Sequence, residues 1–427
     1  MSNLLSKASI LLTPTATSDG KLHNVKPNTT TGDFTFTRAT TATRVNSSGL
    51  IESVASGLPR IDFLGGTGQI LLEPASTNTA TYSNDFTQGD IFSGSADPTR
   101  SDAILTANQG TAPDGTNTAQ LLKDDNDGGT GRASLNYFAT NVVSDNFNTV
   151  SIFAKKSLSN DLIYIQSDGF DTDANGRSWF NIQNGTLGTV QSQHTSKIED
   201  YGNGWYRCSI TFKTTTDLIG SVRVNLASTD NNTNVTRDGT NGVLLFGLQA
   251  EADASRNFAT SYIPTSGSTV TRNKDEANNS GDSSLINSTE GVLYVEVAGL
   301  IGESASHLNI SLSDSTDSNG LRVLFHSSAF VFFQKFCNGV RTTNLSTNNI
   351  TKTSFNKIAI RYSSNQVSVF KGGNNILNNT DNNSFSASLN SLSFDIGNGV
   401  QQFEGKIKSV AVFKEALTDA QLISLTS

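Results

Sequence analysis

The alternation over residues 205–213 constrains the fold more than any other stretch of the chain. Tyr206, Cys208, Ile210 and Phe212 fall on one parity, and Trp205, Arg207, Ser209, Thr211 and Lys213 on the other. A period of two sends these sets to opposite faces of a pleated strand, one apolar and one polar, whereas a helix would mix them. The same period returns at 221–227 through Val222, Val224 and Leu226, and residues 243–248 form an apolar run suited to a strand buried on both faces.

The rest of the chain reads as short strands punctuated by turns. Phe34-Thr35-Phe36-Thr37 alternates, and Asn46-Ser47-Ser48-Gly49 lies between the apolar flanks Val45 and Leu50. Pro113-Asp114-Gly115 is a turn, with φ fixed at the proline and free at the glycine. Ile152-Phe153 and Leu162-Ile163-Tyr164-Ile165 are strand-like, and Asn184-Gly185 is the preferred pair of a two-residue type I′ hairpin. Further strand candidates run from Val292 to Phe413. One helix is expected at the end, where Thr418 with Gln421 three residues on gives a capping box and Leu422 and Leu425 share a face.

These strands are too many for one core. A chain of 427 residues exceeds the roughly 250 at which single cores stop growing, so two or three domains are expected. With 16% charged residues, 35% hydrophobic residues and 36 Gly, the composition suits strands and turns and leaves no room for long helices. The reading is all-β: a small β region over 1–84, a jelly-roll or sandwich module over 85–263, a linker over 264–288 and a second sandwich over 289–427. The linker is placed where the apolar pattern lapses into Ser, Thr, Asn, Gly and mixed charge.

Composition also narrows the partners. A net charge of -8 without a Lys/Arg cluster argues against nucleic acid and suits a neutral or glycan partner. No run approaches the roughly 18 apolar residues needed to span a bilayer, and Ile10-Leu11-Leu12 is short for a secretory signal, so no membrane partner and a cytoplasmic site of synthesis are expected. Cys208 and Cys337 read as buried thiols in separate domains.

Candidate binding residues follow from exposure. Trp205 and Arg207 on the polar parity, Trp179 after a polar loop and Tyr201 before Gly202-Asn203-Gly204 are candidate carbohydrate contacts, since a sugar ring stacks its C–H face on an aromatic ring. The alternative for Trp205 is packing beneath a loop. Asp171, Asp173 and Asn175 before Gly176 resemble the first half of a calcium loop, but Ile182 stands where the bidentate Glu is needed, so an Asx-rich turn competes. His23, His194, His307 and His326 are scattered without zinc spacing, and no strand carries the paired carboxylates of a glycosidase, so no enzyme is expected.

Several ordered phrases carry a family resemblance. Phe36-Thr37-Arg38-Ala39-Thr40, Ala42-Thr43-Arg44-Val45-Asn46, Gly49-Leu50-Ile51-Glu52, Leu58-Pro59-Arg60-Ile61-Asp62, Leu71-Leu72-Glu73-Pro74-Ala75-Ser76-Thr77-Asn78 and Tyr82-Ser83-Asn84-Asp85-Phe86 resemble a module of bacteriophage head and tail fibres. Tyr201-Gly202-Asn203-Gly204-Trp205-Tyr206-Arg207-Cys208 and Ala259-Thr260-Ser261-Tyr262-Ile263-Pro264-Thr265 look like the jelly roll that follows it, so the match covers about residues 1 to 273. The final segment is similar to laminin-G-like or concanavalin-like sandwiches through Phe403-Glu404-Gly405-Lys406-Ile407, Val410-Ala411-Val412-Phe413 and Ala416-Leu417-Thr418-Asp419-Ala420-Gln421-Leu422.

The resemblance implies a virion fibre, spike or decoration subunit, with 1–84 as its attachment part, host-surface polysaccharide and other virion proteins as partners, and assembly in a bacterial cytoplasm. By the same analogy Asp124, Asp125 and Asp127 are candidate ligands of a structural calcium at the jelly-roll rim. A homo-oligomer, with a trimer among its candidate states, would use β surfaces, because no heptad seam is present. A pure assembly protein without glycan binding, and a polysaccharide-degrading tail enzyme, are the competing readings.

Overall fold

The structure, a computed structural model, describes residues 2–14, 17–18, 20–88, 103–139, 142–300, 307–328 and 330–427. Among them only Ser2–Leu5 and Asp419–Thr426 are α-helical; apart from a single 3-10 turn at Thr30–Gly32, strands carry the rest of the regular structure. The protein is all-β. The terminal helix starts as its sequence dictates: Thr418 accepts from the Gln421 amide, the Gln421 side chain accepts from the Thr418 amide, and Leu422 and Leu425 are buried.

Two sandwiches organise the chain. In the first, a six-stranded sheet runs in the order Ala103–Gly110, Ala119–Asp124, Gly242–Asp253, Phe147–Lys156, Trp205–Phe212, Thr195–Asp200. A five-stranded sheet faces it, ordered Ser134–Ala139, Gly220–Ala227, Leu162–Asp168, Gly176–Asn181, Thr186–Val190. These ladders are antiparallel, and alternate side chains such as Ile152, Cys208, Ile210, Ile163, Ile165 and Val224 meet between the sheets. The turn at Asn184-Gly185 differs from the expected two-residue hairpin. Asn181 pairs with Thr186 across four loop residues, and only Gly185, at φ 72°, is left-handed.

The second sandwich is assembled from both ends of the chain. Its larger sheet runs Asn374–Thr380, Gln366–Lys371, Asn356–Tyr362, Gly291–Gly299, Gly405–Phe413, and continues into Gln69–Leu72 and Arg60–Asp62. Ile10–Leu12 pairs with Gly405–Phe413 as well, with Leu11 opposite Ala411. The facing sheet is Val340–Thr347, Val331–Cys337, Gly320–Phe325, Leu308–Ser313, Ser391–Ser393. Ile10, Leu12, Leu22, Phe34, Ile61, Ile70 and Leu72 therefore share one core with Leu293, Ile310, Val323 and Ile407.

The region 264–288, expected as a linker, carries two paired strands. Val270–Arg272 pairs with Ser76–Asn78, and Glu276–Asn278 pairs with Phe34–Thr37. The hydrophobic period fails there because the strands are three residues long and the buried residues beside them are ionic. Arg272 and Asp275 join Arg38, Arg60 and Glu73 in a cluster with almost no solvent exposure.

Arg60 is the centre of this cluster. It pairs with Glu73 at 2.7 Å and with Asp275, while Arg38 reaches the other oxygen of Asp275 at 3.0 Å. Burial opposes ionisation of Glu73, but Arg272 and Arg60, with two hydrogen bonds from Ser261, hold its carboxyl well below the usual carboxylate range. Nearby, Glu251 accepts from the amide and hydroxyl of Thr260, and Arg256 donates to Ser76 at 2.9 Å. The start of the chain, the end of the first sandwich and the connector are thus tied by charges that have no access to water.

Candidate functional site

The four predicted carbohydrate contacts are placed in the interior or at its edge. Trp205 is buried, with Nε1 donating to the Thr111 carbonyl at 3.1 Å, among Val45, Ile51, Phe153, Phe246 and Tyr262. Arg207 is buried beside it, donating to Ser151 at 3.0 Å and to the Thr260 carbonyl, with its guanidinium over the Phe153 ring. The polar parity of this strand is not a solvent face: the hairpin Ala42–Val45/Ile51–Val54 and Tyr262 pack over it. Trp179 is buried too, stacked on Tyr164 at 5.1 Å and bonded to the Asn232 carbonyl at 3.0 Å. Neither tryptophan offers a free ring face, which corrects the platform reading for both.

Tyr201 alone of the four borders an opening. It is half-buried, edge-on to Phe153 at 4.8 Å, and lines a cavity of about 550 Å³ with Asn46, Phe63, Leu64 and Asp200. Burial raises its hydroxyl above the usual range, against the opposing pull of the Arg207 guanidinium.

Apart from Asp173, which is exposed, the candidate calcium ligands of the acidic loops are satisfied internally. Asp171 accepts from the amides of Thr215, Thr216 and Asp217 and from both threonine hydroxyls, and Asn175 is bonded to Phe170 through both ends of its amide. Asp124 accepts from the amides of Asn126, Gly239 and Asn241, and Arg237 pairs with Asp125 at 3.1 Å and with Asp127 at 2.5 Å. Among the described residues no three His, Cys, Asp or Glu side chains are grouped to hold a metal ion. Of the four histidines, His307 and His326 are brought together, their rings 4.3 Å apart.

A further cavity was not marked by any of these residues. It measures about 780 Å³ and lies where residues 82–87 and 264–270 meet the edge strand Ala103–Gly110. Ser83 anchors its wall by accepting from Tyr262 at 2.6 Å and from the Thr265 amide at 2.9 Å. The edge strand loses register with its neighbour between Thr106 and Gly110, and Asn108 takes a left-handed φ of 56°. Such a bulge redirects side chains at a sheet rim, and Ala107 and Asn108 line the cavity.

Its lining is mostly uncharged and carries several hydrogen-bonding groups beside apolar Ala107, Pro264 and Val270. Half-buried Tyr82 contributes a ring, and Asn84, Asn108, Thr118, Gln120, Ser266 and Ser268 contribute amides and hydroxyls. Asp85 is the one carboxylate, and it accepts from the amide and hydroxyl of Thr87. Gln120 donates to the Asn84 carbonyl at 2.5 Å, while its buried Oε1 has no partner among the described residues. The sequence signal for this site was weak, because a bulge is a backbone event and Tyr82 sits in a phrase dominated by structural residues.

Comparison with known proteins adds likenesses of architecture. No family model matches the chain, and no curated protein sequence matches it. Among solved structures, the CBM40 module of a Ruminococcus gnavus IT-sialidase bound to alpha2,3 sialyllactose is similar at 15% identity over 35% of this chain and 92% of that one, with a TM-score of 0.27. Domain 4 of AbnA, a GH43 extracellular arabinanase from Geobacillus stearothermophilus in complex with arabinotriose, matches at 12% identity over 36% of this chain and 73% of that one, with a TM-score of 0.29. Domains LG4-5 of the mouse laminin alpha1 chain match at 10% identity over 82% of this chain and 92% of that one, with a TM-score of 0.22. At these scores none of them identifies a ligand for this chain.

Proposed function

We propose that this chain is a non-enzymatic adhesive subunit of a bacteriophage particle, a fibre, spike or decoration protein that binds host-surface glycan in the cavity beside Tyr82. The observation that carries the binding reading is the lining of that cavity. One aromatic ring among neutral amides and hydroxyls suits a sugar, whose hydroxyls both donate and accept and whose C–H face prefers an aromatic surface. The cavity contributes a single carboxylate, and the cavity at Tyr201 likewise has only Asp200, whereas glycoside hydrolysis uses two facing carboxyls.

The virion reading rests on the ordered phrases. Arg38, Arg60, Glu73, Ser76, Thr260, Ser261 and Tyr262 all lie within them, and all take part in the buried polar contacts. The phrases therefore read as one folded unit instead of scattered coincidences.

The test is a host-surface glycan array run on the wild-type chain and on Tyr82→Ala. The expected outcome is a loss of affinity of about tenfold or more with an almost unchanged melting temperature, as for a half-exposed anchor residue. Wild-type protein that binds no glycan would favour a pure assembly role, and release of reducing ends would make the chain an enzyme. Either result removes the reading.

A further inference from the structure

A third opening, a groove, lies at the seam of the two sandwiches, and its chemistry differs from that of the Tyr82 cavity. It measures about 360 Å³. The first sandwich contributes Thr195, Ser196 and Lys197 from its edge strand Thr195–Asp200, together with Phe258 from the loop after Gly242–Asp253. The second contributes the end of Gly291–Gly299 and Lys406 from Gly405–Phe413.

The local charge is opposite to that of the chain. Acidic residues outnumber basic ones overall, 38 against 30, yet two lysines and no carboxylate line this groove. Lys197 is paired with Glu199 at 2.7 Å. Lys406 is half-buried, and among the described residues its ammonium has no acceptor. A lysine whose stem is held in a groove while its ammonium stays unpaired is a site for an anion, the stem lying along the wall and the head reaching the ligand. Phe258 is half-buried as well, with the Arg256 guanidinium 6.0 Å from its ring centroid.

We infer that this groove binds an acidic saccharide, with the sugar carboxylate on Lys406 and the ring face against Phe258. Thr195 and Ser196 supply hydroxyls beside it. A phosphate monoester would satisfy the lysine but would leave the aromatic wall without a matching apolar face, so a carboxylated sugar fits the whole lining better. Because the walls come from both sandwiches, the bound sugar would also cross-link them. The inference shares a ligand class with the adhesion reading but uses separate residues, so either one can fail alone.

The test is calorimetric titration of the full chain with trigalacturonate and with sialyllactose, each beside its methyl ester. Wild-type protein is expected to bind at least one free acid and to bind its ester much more weakly, with affinity falling as salt rises. Lys406→Gln should weaken acid binding about tenfold or more, Lys406→Arg should retain most of it, and Tyr82→Ala should leave it unchanged. Melting curves of each variant separate lost binding from lost folding; if Lys406→Gln misfolds, the comparison of acid with ester in the wild-type chain decides. Equal binding of acid and ester, full binding by a folded Lys406→Gln, loss of acid binding in Tyr82→Ala, or no binding of either acid would overturn the inference.

Discussion

The two sandwiches use similar strands but close in different ways. The first is drawn from one continuous stretch, with sheet strands running from Ala103–Gly110 to Gly242–Asp253. The second is discontinuous: its larger sheet takes Ile10–Leu12, Arg60–Asp62 and Gln69–Leu72 from the start of the chain and joins them to Gly405–Phe413 near its end. A sandwich whose strands are contiguous can bury its faces from local sequence alone. One that borrows strands across the chain makes the intervening connection structural, and this is why residues 270–278 are paired strands beside buried charge.

The largest effect expected from this difference is on fragments. Residues 289–427 alone lack Ile10, Leu12, Ile61, Ile70 and Leu72, which belong to the core of the second sandwich. Expressed alone, this fragment should be unfolded or aggregated, as read by circular dichroism and gel filtration. A cooperative melt close to that of the full chain would mean that the borrowed strands are dispensable.

The next effect concerns the charge cluster. Removing one partner from a buried ion pair strands the other without solvent, so Arg60→Ala should cost about 3–5 kcal/mol in a denaturation experiment. Arg44→Ala, which breaks a partly exposed pair with Glu52, should cost no more than about 1 kcal/mol. Equal costs would remove the claim that the cluster holds the start of the chain to the connector.

The pH dependence of stability separates the sandwiches more finely. In the first, His194 lies between Ser167 at 2.7 Å and Ser178 at 2.9 Å, and burial pushes its pKa down to about 4. Between about pH 6.5 and 4 the unfolded chain holds a proton that folded His194 lacks, so stability falls on acidification by up to about 3 kcal/mol. Beside the second sandwich, burial pushes Glu404 up to about 7. Between about pH 4.5 and 7 the folded chain holds the extra proton, so this group's contribution falls as pH rises. His194→Gln should flatten the acid side of a melting-temperature profile, and Glu404→Gln the neutral side. Profiles unchanged from wild type would contradict both assignments.

The parts of this fold legible in the sequence were those set by neighbouring residues. The alternation at 205–212 and the capping box at Thr418 and Gln421 depend on local periodicity and turn chemistry. Trp205 was misleading because alternation reports that a strand has two faces, not that one of them is wet. Its outer face is covered by the hairpin Ala42–Val45/Ile51–Val54, a contact set by distant sequence. The linker was misleading for the complementary reason: Arg272 and Asp275 look like surface charges until Arg60, Arg38 and Glu73 are brought to them. The Tyr82 cavity was invisible because its rim is shaped by a bulge at Asn108, which leaves no periodic trace.

Hydrogen exchange across residues 270–278 tests the central claim most directly, that the start of the chain and the connector are paired, packed parts of the fold, Val270–Arg272 on Ser76–Asn78 and Glu276–Asn278 on Phe34–Thr37. If Val270–Arg272 and Glu276–Asn278 are paired strands locked by Asp275, their amides should exchange on the slow scale of Gly405–Phe413, far behind exposed loops. Exchange at the rate of an open, unpaired connector would contradict the account and restore a flexible linker between independent sandwiches.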